Sequence, residues 1–149
     1  MSNKAAGTRF EKAFVSILAQ HGFWVHPFQD NKNGQPCDVV AARNGNTYLF
    51  DCKDCQGSCF ELRRAEPNQY NAMYLFEMAG NSRGMFAIRF SNDEIYLVDY
   101  RELLTLAGRG IKRIGRDDCV AHAQSLTSWL EYRDSADEWS EWHEDHNWK

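Results

Sequence analysis

Apolar residues recur at helical spacing near the start of the chain. The stripe consists of Phe10, Phe14, Ile17 and Leu18. This spacing predicts a helix from about Lys4 to His21, and Gly22 is suited to end it. Phe23 to Phe28 then has the character of a short strand, whose proline favours an edge position or a strand end. A polar loop from Asp30 to Pro36 follows.

A β-hairpin is predicted around Asn44-Gly45, because Asn-Gly between two strand-like runs is the strongest short-range hairpin signal. The runs are Cys37 to Arg43 and Asn46 to Lys53. A two-residue turn fixes the register and places Asp38 opposite Asp51, with Lys53 on the same face. The opposite face is apolar and should belong to the core. Its predicted members are Cys37, Val39, Ala41, Tyr48, Phe50 and Cys52.

The rest of the chain continues to alternate between helices and strands. The predicted elements are a loop or short strand from Gln56 to Glu66, a helix from Pro67 to Ala79, strands from Met85 to Phe90 and from Glu94 to Tyr100, a helix from Arg101 to Ala107, a connector from Gly108 to Arg116, and a final helix from Asp117 to about Tyr132. This order indicates an α/β fold with a central mixed β-sheet flanked by helices. We expect one domain over residues 1–132 and a tail over residues 133–149.

Charge separates the tail from the body. The net charge is −4, but residues 131–149 hold seven acids and two bases, so the remainder is close to neutral. A near-neutral body argues against a protein that coats DNA by charge alone. The tail also carries Trp139, Trp142 and Trp148, which argues against simple disorder. We expect the tail to continue the last helix or to fray from it, and a contact with a protein partner or another subunit is the functional alternative.

Length and cysteine content place the chain among intracellular proteins. Its 149 residues, of which 43% are hydrophobic, suit one domain, and no apolar run has the length of a signal sequence or a membrane span. Five cysteines is an odd number in a chain too large to need disulfides, so the thiols should be reduced. We expect a soluble cytoplasmic protein of a bacterial or phage-infected cell.

Two carboxylates opposed on a sheet repel each other unless a cation lies between them. Lys53 supplies one positive charge beside Asp38 and Asp51, and a divalent metal would supply more. Mg²⁺ favours one or two carboxylates together with water and phosphate oxygens, so the pair suits Mg²⁺ with Mn²⁺ as a substitute. The alternative is an exposed sheet face with a cross-strand salt bridge, which stabilises little.

The three cysteines Cys52, Cys55 and Cys59 offer a different interpretation, a structural zinc site. Such a site needs four nitrogen or sulfur ligands, and they usually come from two pairs. Here one triplet stands alone, and strand alternation directs Cys52 into the core. Zinc is therefore not favoured.

The ordered set of acids and lysine resembles the PD-(D/E)xK nucleases, and most closely the RecU-type, phage and archaeal Holliday junction resolvases. Asp38 resembles the first acid of the motif, and Asp51-Cys52-Lys53 resembles its (D/E)-x-K. Gly7 to Glu11, Phe50 to Asp54 and Ser58 to Leu62 are similar to stretches of the RecU-type enzymes. The resemblance extends from about Lys4 to Ala107.

This resemblance implies a Mg²⁺-dependent endonuclease, acting as a homodimer on branched DNA and leaving a 5′-phosphate and a 3′-hydroxyl. Asp38, Asp51 and the Cys52 carbonyl would bind the metal, with help from Glu11, an acid of the first helix. Lys53 would position the attacking water, and Gln69 would orient the lysine, the water or the nearby backbone. The residues expected to contact DNA are Arg9, Arg63, Arg64, Arg109, Lys112 and Arg113.

Several alternatives remain open. Glu11 also fits a solvated helix position, and Gln69 fits a polar residue of a first helical turn. The segment before Asp38 is too short for the protruding stalk of the RecU-type proteins, which favours a nuclease of the same fold acting on ordinary or flapped duplex. A non-catalytic DNA-binding or adaptor protein is the alternative of another class.

Overall fold

The structure, a computed structural model, describes residues 3–28 and 36–134, with side chains from Gly7 onward. The predicted loop from Asp30 to Pro36 lies outside the described residues except for Pro36. So does the tail from residue 135, with Trp139, Trp142 and Trp148.

The predicted alternation of helices and strands is confirmed over most of the chain. The first half contains α1 (Asn3–Gln20), β1 (Trp24–Pro27), β2 (Val39–Arg43), β3 (Asn46–Asp54) and β4 (Cys59–Glu61). The second half contains α2 (Pro67–Met78), β5 (Met85–Arg89), β6 (Ile95–Asp99), α3 (Tyr100–Gly108), β7 (Arg113–Gly115), α4 (Arg116–His122), β8 (Gln124–Ser125) and α5, which covers residues 126–134.

A mixed six-stranded sheet forms the centre of the molecule, as predicted, in the order β1-β2-β3-β5-β6-β8. The β3–β5 pair is parallel, and the other pairs are antiparallel. One face packs against α1 and α5, in a core that includes Phe14, Phe50 and Trp129. The other face packs against α2 and α3, in a core that includes Met73, Phe86 and Leu103.

The predicted hairpin forms in the predicted register. Asn44 and Gly45 both have positive φ, 50° and 78°, as a type I′ turn requires. Arg43 pairs with Asn46, and the regular ladder continues as far as Val39 and Phe50. Asp38 lies immediately before β2, where the pairing becomes irregular.

Cys37 is a correction to this part of the prediction. It was expected on the α1 side of the sheet, but its thiol packs in the core on the α2 side, with a long contact of 4.0 Å to the Gln69 carbonyl oxygen. Because β2 begins at Val39, the alternation of faces does not extend back to residue 37.

The single helix predicted from Asp117 to Tyr132 is also wrong. The chain forms α4, then β8, then α5, because Gln124 and Ser125 pair with β6 at the edge of the sheet. The Ser125 hydroxyl accepts a hydrogen bond from the Ser128 backbone N–H at 3.2 Å, which helps to start α5. The connector before α4 likewise contains a strand, β7, which pairs with β4.

Two residues assigned to the tail continue α5 and contact the body of the protein. The Arg133 guanidinium lies 3.6 Å from the Trp129 ring centre and donates to the Tyr48 hydroxyl. Asp134 accepts a hydrogen bond from Arg43 at 2.7 Å. The folded body therefore includes at least Asp134. None of the described helices has the length and apolar character needed to cross a membrane.

Candidate active site

Asp51 and Lys53 lie near the end of β3, on the face of the sheet that packs against α2. Their parallel neighbours on β5 are Phe86 and Ile88, both fully buried. Asp51 is only 2% exposed. The Lys53 Nζ lies 2.9 Å from Asp51 Oδ2, and the lysine side chain is 12% exposed. The alternative of a salt bridge on an exposed sheet face therefore does not fit, because the Lys53–Asp51 pair is buried.

Asp38 is held against the end of β3 by two backbone contacts. Its carboxylate Oδ2 accepts a hydrogen bond from the Cys52 N–H at 2.8 Å, and its own N–H donates to the Phe50 carbonyl at 3.0 Å. The carboxylate therefore bends over the backbone between Asp51 and Lys53. The acid pair and the lysine predicted from the hairpin are thus close together.

Asp51 has an unusual electrostatic environment. Burial first and the charge of Asp38 second raise its pKa to about 8, although Lys53 partly offsets them. Among the described residues Asp51 Oδ2 has no hydrogen-bond partner, because the nearby Lys53 ammonium is close enough for an ion pair but is not aligned to donate. Lys53 offsets only part of the cost of burying this carboxylate beside Asp38, which leaves a role for a second cation.

The donor set fits a hard divalent cation. Asp51 presents its unsatisfied oxygen beside the Asp38 carboxylate, and oxygen ligands of this kind suit Mg²⁺ or Mn²⁺. In the described part of the chain no group of three or more His, Cys, Asp or Glu side chains could hold a metal. Two carboxylates suffice for Mg²⁺, which takes its other ligands from water and from substrate phosphate.

Glu11 lies on α1, across the sheet from the acid pair. It is half-buried, and its charge helps to raise the pKa of the Cys52 thiol, so it lies near the end of β3. The structure does not bring it into one cluster with Asp38 and Asp51. Its role as a metal ligand stays a prediction.

Arg89 is a structural feature of this region that the sequence did not reveal. It forms a bidentate pair with Asp54, at 3.2 and 2.8 Å, and its guanidinium lies 4.9 Å from the Phe10 ring centre. Arg89 thereby ties the end of β3 to α1 beside Glu11. The pair could be predicted only from the parallel alignment of β3 with β5, in which Asp54 lies beside Arg89.

Gln69 is buried at the first turn of α2, where it has a capping role. Its side-chain oxygen accepts a hydrogen bond from the Glu66 N–H at 2.9 Å, as in a capping box. The Cys37 thiol contacts its carbonyl, and that thiol is close enough to Asp51 and Asp38 for their charges, after burial, to raise its pKa. Gln69 therefore belongs to the wall of the site, and its side-chain NH₂ group is the part that could orient other groups.

The structure joins two basic stretches that are far apart in sequence. Pairing of β4 with β7, and a bond from the Leu62 N–H to the Lys112 carbonyl, place Arg63 beside Lys112 and Arg113. All three line one open cleft with Tyr70 and Ile111. We call Arg63, Arg64, Lys112 and Arg113 the basic surface.

Arg64 links the basic surface to the acid pair, because it donates to the carbonyl of Asp54, the residue after Lys53, at 3.2 Å. Arg109 is exposed at the end of α3, three residues before Lys112. Arg9 is exposed on α1. Phosphate contacts by these residues stay a prediction.

The three cysteines of the alternative zinc site point in different directions. Cys52 packs on the α1 side of the sheet, and Cys55 lies in the core on the α2 side, where its thiol donates to the Cys59 carbonyl at 2.7 Å. Cys59 is exposed. Burial raises the pKa of Cys52 well above its ordinary value, which disfavours the thiolate that zinc would need.

Comparisons with known proteins bear on the family and the fold of the chain. A model of the archaeal Holliday junction resolvase (Hjc) family matches residues 2–136. The solved structure of Hjc, a Holliday junction resolvase from the archaeal hyperthermophile Archaeoglobus fulgidus, is similar with a TM-score of 0.65. The match covers 83% of this chain and 99% of that one at 16% identity, which supports the fold. The comparison with curated proteins gives no match. The chain belongs to the archaeal Holliday junction resolvase family, whose members are nucleases acting on branched DNA.

Proposed function

We propose that this protein is a divalent-metal-dependent endonuclease that cleaves four-way DNA junctions, leaving 5′-phosphate and 3′-hydroxyl ends. One observation supports this most strongly. The Asp51 carboxylate is buried beside Asp38 and is paired only with the Lys53 ammonium, 2.9 Å away, among the described residues. Mg²⁺ is the cation that we expect, with Mn²⁺ as a substitute. Its DNA substrate would place the protein in the cytoplasm of a bacterial or phage-infected cell.

Each residue of the site has a role in this proposal. Asp38 and Asp51 hold the cation, with the Cys52 carbonyl and Glu11 as further candidates. The cation would supply a Lewis acid that stabilises charge on the scissile phosphate. Lys53 holds the attacking water or offsets the negative charge that develops on the phosphate. Gln69 orients the lysine, the water or the DNA backbone from the wall of the site.

The activity can be tested with a panel of four-way junction, flap, single-stranded and linear duplex DNA of equal length, with Mg²⁺ or Mn²⁺. We expect the junction to be cut most efficiently. Only nine residues separate Phe28 from Asp38, so the chain has no room there for a stalk that would engage a junction. This favours, as the second candidate, a nuclease that acts on linear or flapped duplex, and equal cutting of duplex and junction would support it.

The basic surface is proposed to contact phosphates of the junction arms. We expect the double change Lys112→Ala and Arg113→Ala to weaken binding to all DNA sequences alike. Each lost phosphate contact should lower the slope of log affinity against log salt by about 1. Titrations at several salt concentrations, without divalent cations, measure this slope.

Arg83→Ala is the matched control for this prediction. Arg83 is also exposed, but it pairs with Glu77 and Asp99 on another part of the surface. An unchanged salt slope in the double variant would remove the basic surface from the DNA interface.

A homodimer would place two sites on the two strands that must be cut. The outer surface of α2 carries the large apolar side chains Tyr74, Leu75 and Met78, which are 49%, 57% and 54% exposed. They follow a first turn that forms the wall of the site. An exposed apolar cluster of this kind is typical of a protein–protein interface. We propose that it contacts a second copy of the chain.

We expect Leu75→Asp to shift the protein from dimer to monomer, because a charge would replace an apolar side chain in the dimer interface. Sedimentation equilibrium measures the mass directly. Val120→Asp is the control, since Val120 is 66% exposed on α4, away from this cluster. A wild-type protein that sediments as a monomer at micromolar concentration would contradict the proposed dimer.

A further inference from the structure

A row of aromatic rings lies on the edge strand β1 and its continuation. We call Trp24, His26 and Phe28 the edge aromatic row. Trp24 is 62% exposed, His26 is exposed, and Phe28 is half-buried. The three residues are spaced by two along an extended chain, so they share one face of the sheet.

This face is the one that carries the candidate active site. Trp24 pairs with Ala42 and His26 pairs with Val40, which in turn pairs with Leu49. Leu49 has the same parity along β3 as Asp51 and Lys53, so it lies on their face. The Phe28 N–H donates to the carbonyl of Asp38 at 2.8 Å.

The Trp24 and His26 rings stack on each other, nearly parallel at 12° with centroids 6.1 Å apart. Trp24, at the end of the row, is the more open of the two at 62% exposed. Phe28 meets His26 edge-on at 88° and packs into the core on the α2 side, so it supports His26 from below. A large ring such as Trp24, left exposed beside a site, is typical of a binding surface.

The edge of β1 is poorly suited to pairing with another strand. It has four residues, and Pro27 has no N–H to donate. A partner would therefore contact the side chains and not the backbone. Two strand spacings, about 10 Å, separate β1 from β3, and Trp24 lies level with Thr47, four residues along β3 from Asp51. Trp24 is therefore about 17 Å from Asp51, roughly the rise of five stacked nucleotides.

We propose that Trp24, backed by His26, stacks on an unpaired base of the substrate strand at the branch point, about five nucleotides from the scissile phosphate. This inference rests on the proposed function. Aromatic side chains bind unstacked bases irrespective of sequence, and bases in a continuous duplex are not available for stacking. The row thereby favours branched over linear DNA without a stalk.

The test uses four-way junctions that carry 2-aminopurine near the branch point, in EDTA so that no cleavage occurs. Stacking quenches the fluorescence of this base. We expect quenching by the wild-type protein to be lost in Trp24→Ala and retained in Trp24→Tyr. Trp24→Ala should bind junctions about tenfold or more weakly while its affinity for linear duplex is unchanged. Tyr132→Ala is the control, since Tyr132 is 70% exposed on α5 beside Asn46, at the turn end of β3.

Each other outcome overturns the inference. Equal loss of junction and duplex affinity would make Trp24 a general DNA contact, and a change in sedimenting mass would assign it to a second copy of the chain. Unchanged quenching and affinity in both Trp24→Ala and His26→Ala would exclude base stacking. If Trp24→Ala does not fold, the same result in His26→Ala is enough to exclude it. Junction cleavage by the wild-type protein, measured separately, would show that only this inference had failed.

Discussion

Asp51→Asn and Lys53→Ala are expected to abolish detectable cleavage of four-way junctions while leaving junction binding within a few fold. Asn cannot supply the negative charge that holds a cation beside Asp38, and Ala removes the ammonium 2.9 Å from Asp51. Loss of a group that transfers or orients a proton lowers the rate by about 10²–10⁴-fold, and loss of the cation should lower it at least as much. Single-turnover cleavage with saturating protein measures the chemical step, and titration in EDTA measures binding.

Asp117→Asn is the matched control for Asp51→Asn, because the Asp117 side chain is 100% exposed on α4. It removes the same charge without touching the site, so it should cut junctions at the wild-type rate. If either site variant retained metal-dependent cleavage close to the wild-type rate, this assignment of the site would be wrong. If both variants also lost binding, the residues would be needed for DNA affinity and not for chemistry.

The part of the site that the sequence predicted is the part that local geometry determines. Asn44-Gly45 fixes a two-residue turn, and the turn alone determines which residues of β2 and β3 face each other. Asp51 and Lys53 are therefore placed by chain-local rules. Asp38 lies near Asp51 as predicted, but not as its regular cross-strand partner. Asp38 is beyond the end of the regular ladder, and its carboxylate accepts a hydrogen bond from the Cys52 N–H.

Elements that depend on distant pairing were not predictable in the same way. The sequence from Asp117 onward has helical character, but β8 interrupts it because β6 offers an unpaired edge. The bidentate pair of Arg89 with Asp54 depends on the parallel alignment of β5 with β3, which no turn specifies. The basic surface likewise exists only because β7 pairs with β4. Sequence patterns identified the charged residues but not their common location.

The metal-free protein is expected to lose stability as pH rises from about 4 to 8, and Asp51→Asn is expected to remove this loss. The carboxyl group of Asp51 loses its proton near its ordinary pKa of 3.8 in the unfolded chain, but only near pH 8 in the folded protein. Between these values the folded state binds more protons, so the free energy of unfolding falls as pH rises and levels off above 8. Each unit of pKa difference corresponds to about 1.4 kcal/mol.

At pH 8 in EDTA, Asp51→Asn should therefore be more stable than the wild type by ~2 kcal/mol or more, with no difference near pH 4. Mg²⁺ should narrow this difference. A cation at 100 times its dissociation constant adds about 2.7 kcal/mol to the free energy of unfolding of the wild type, but little to that of a variant that has lost a ligand.

Urea denaturation at pH 4, 6 and 8, with EDTA or Mg²⁺, measures both effects. Asp117→Asn should follow the wild-type curve. The prediction would be wrong if the free energy of unfolding of Asp51→Asn and of the wild type changed with pH in the same way. Asp51 would then be charged in the metal-free fold, and Lys53 alone would compensate its burial.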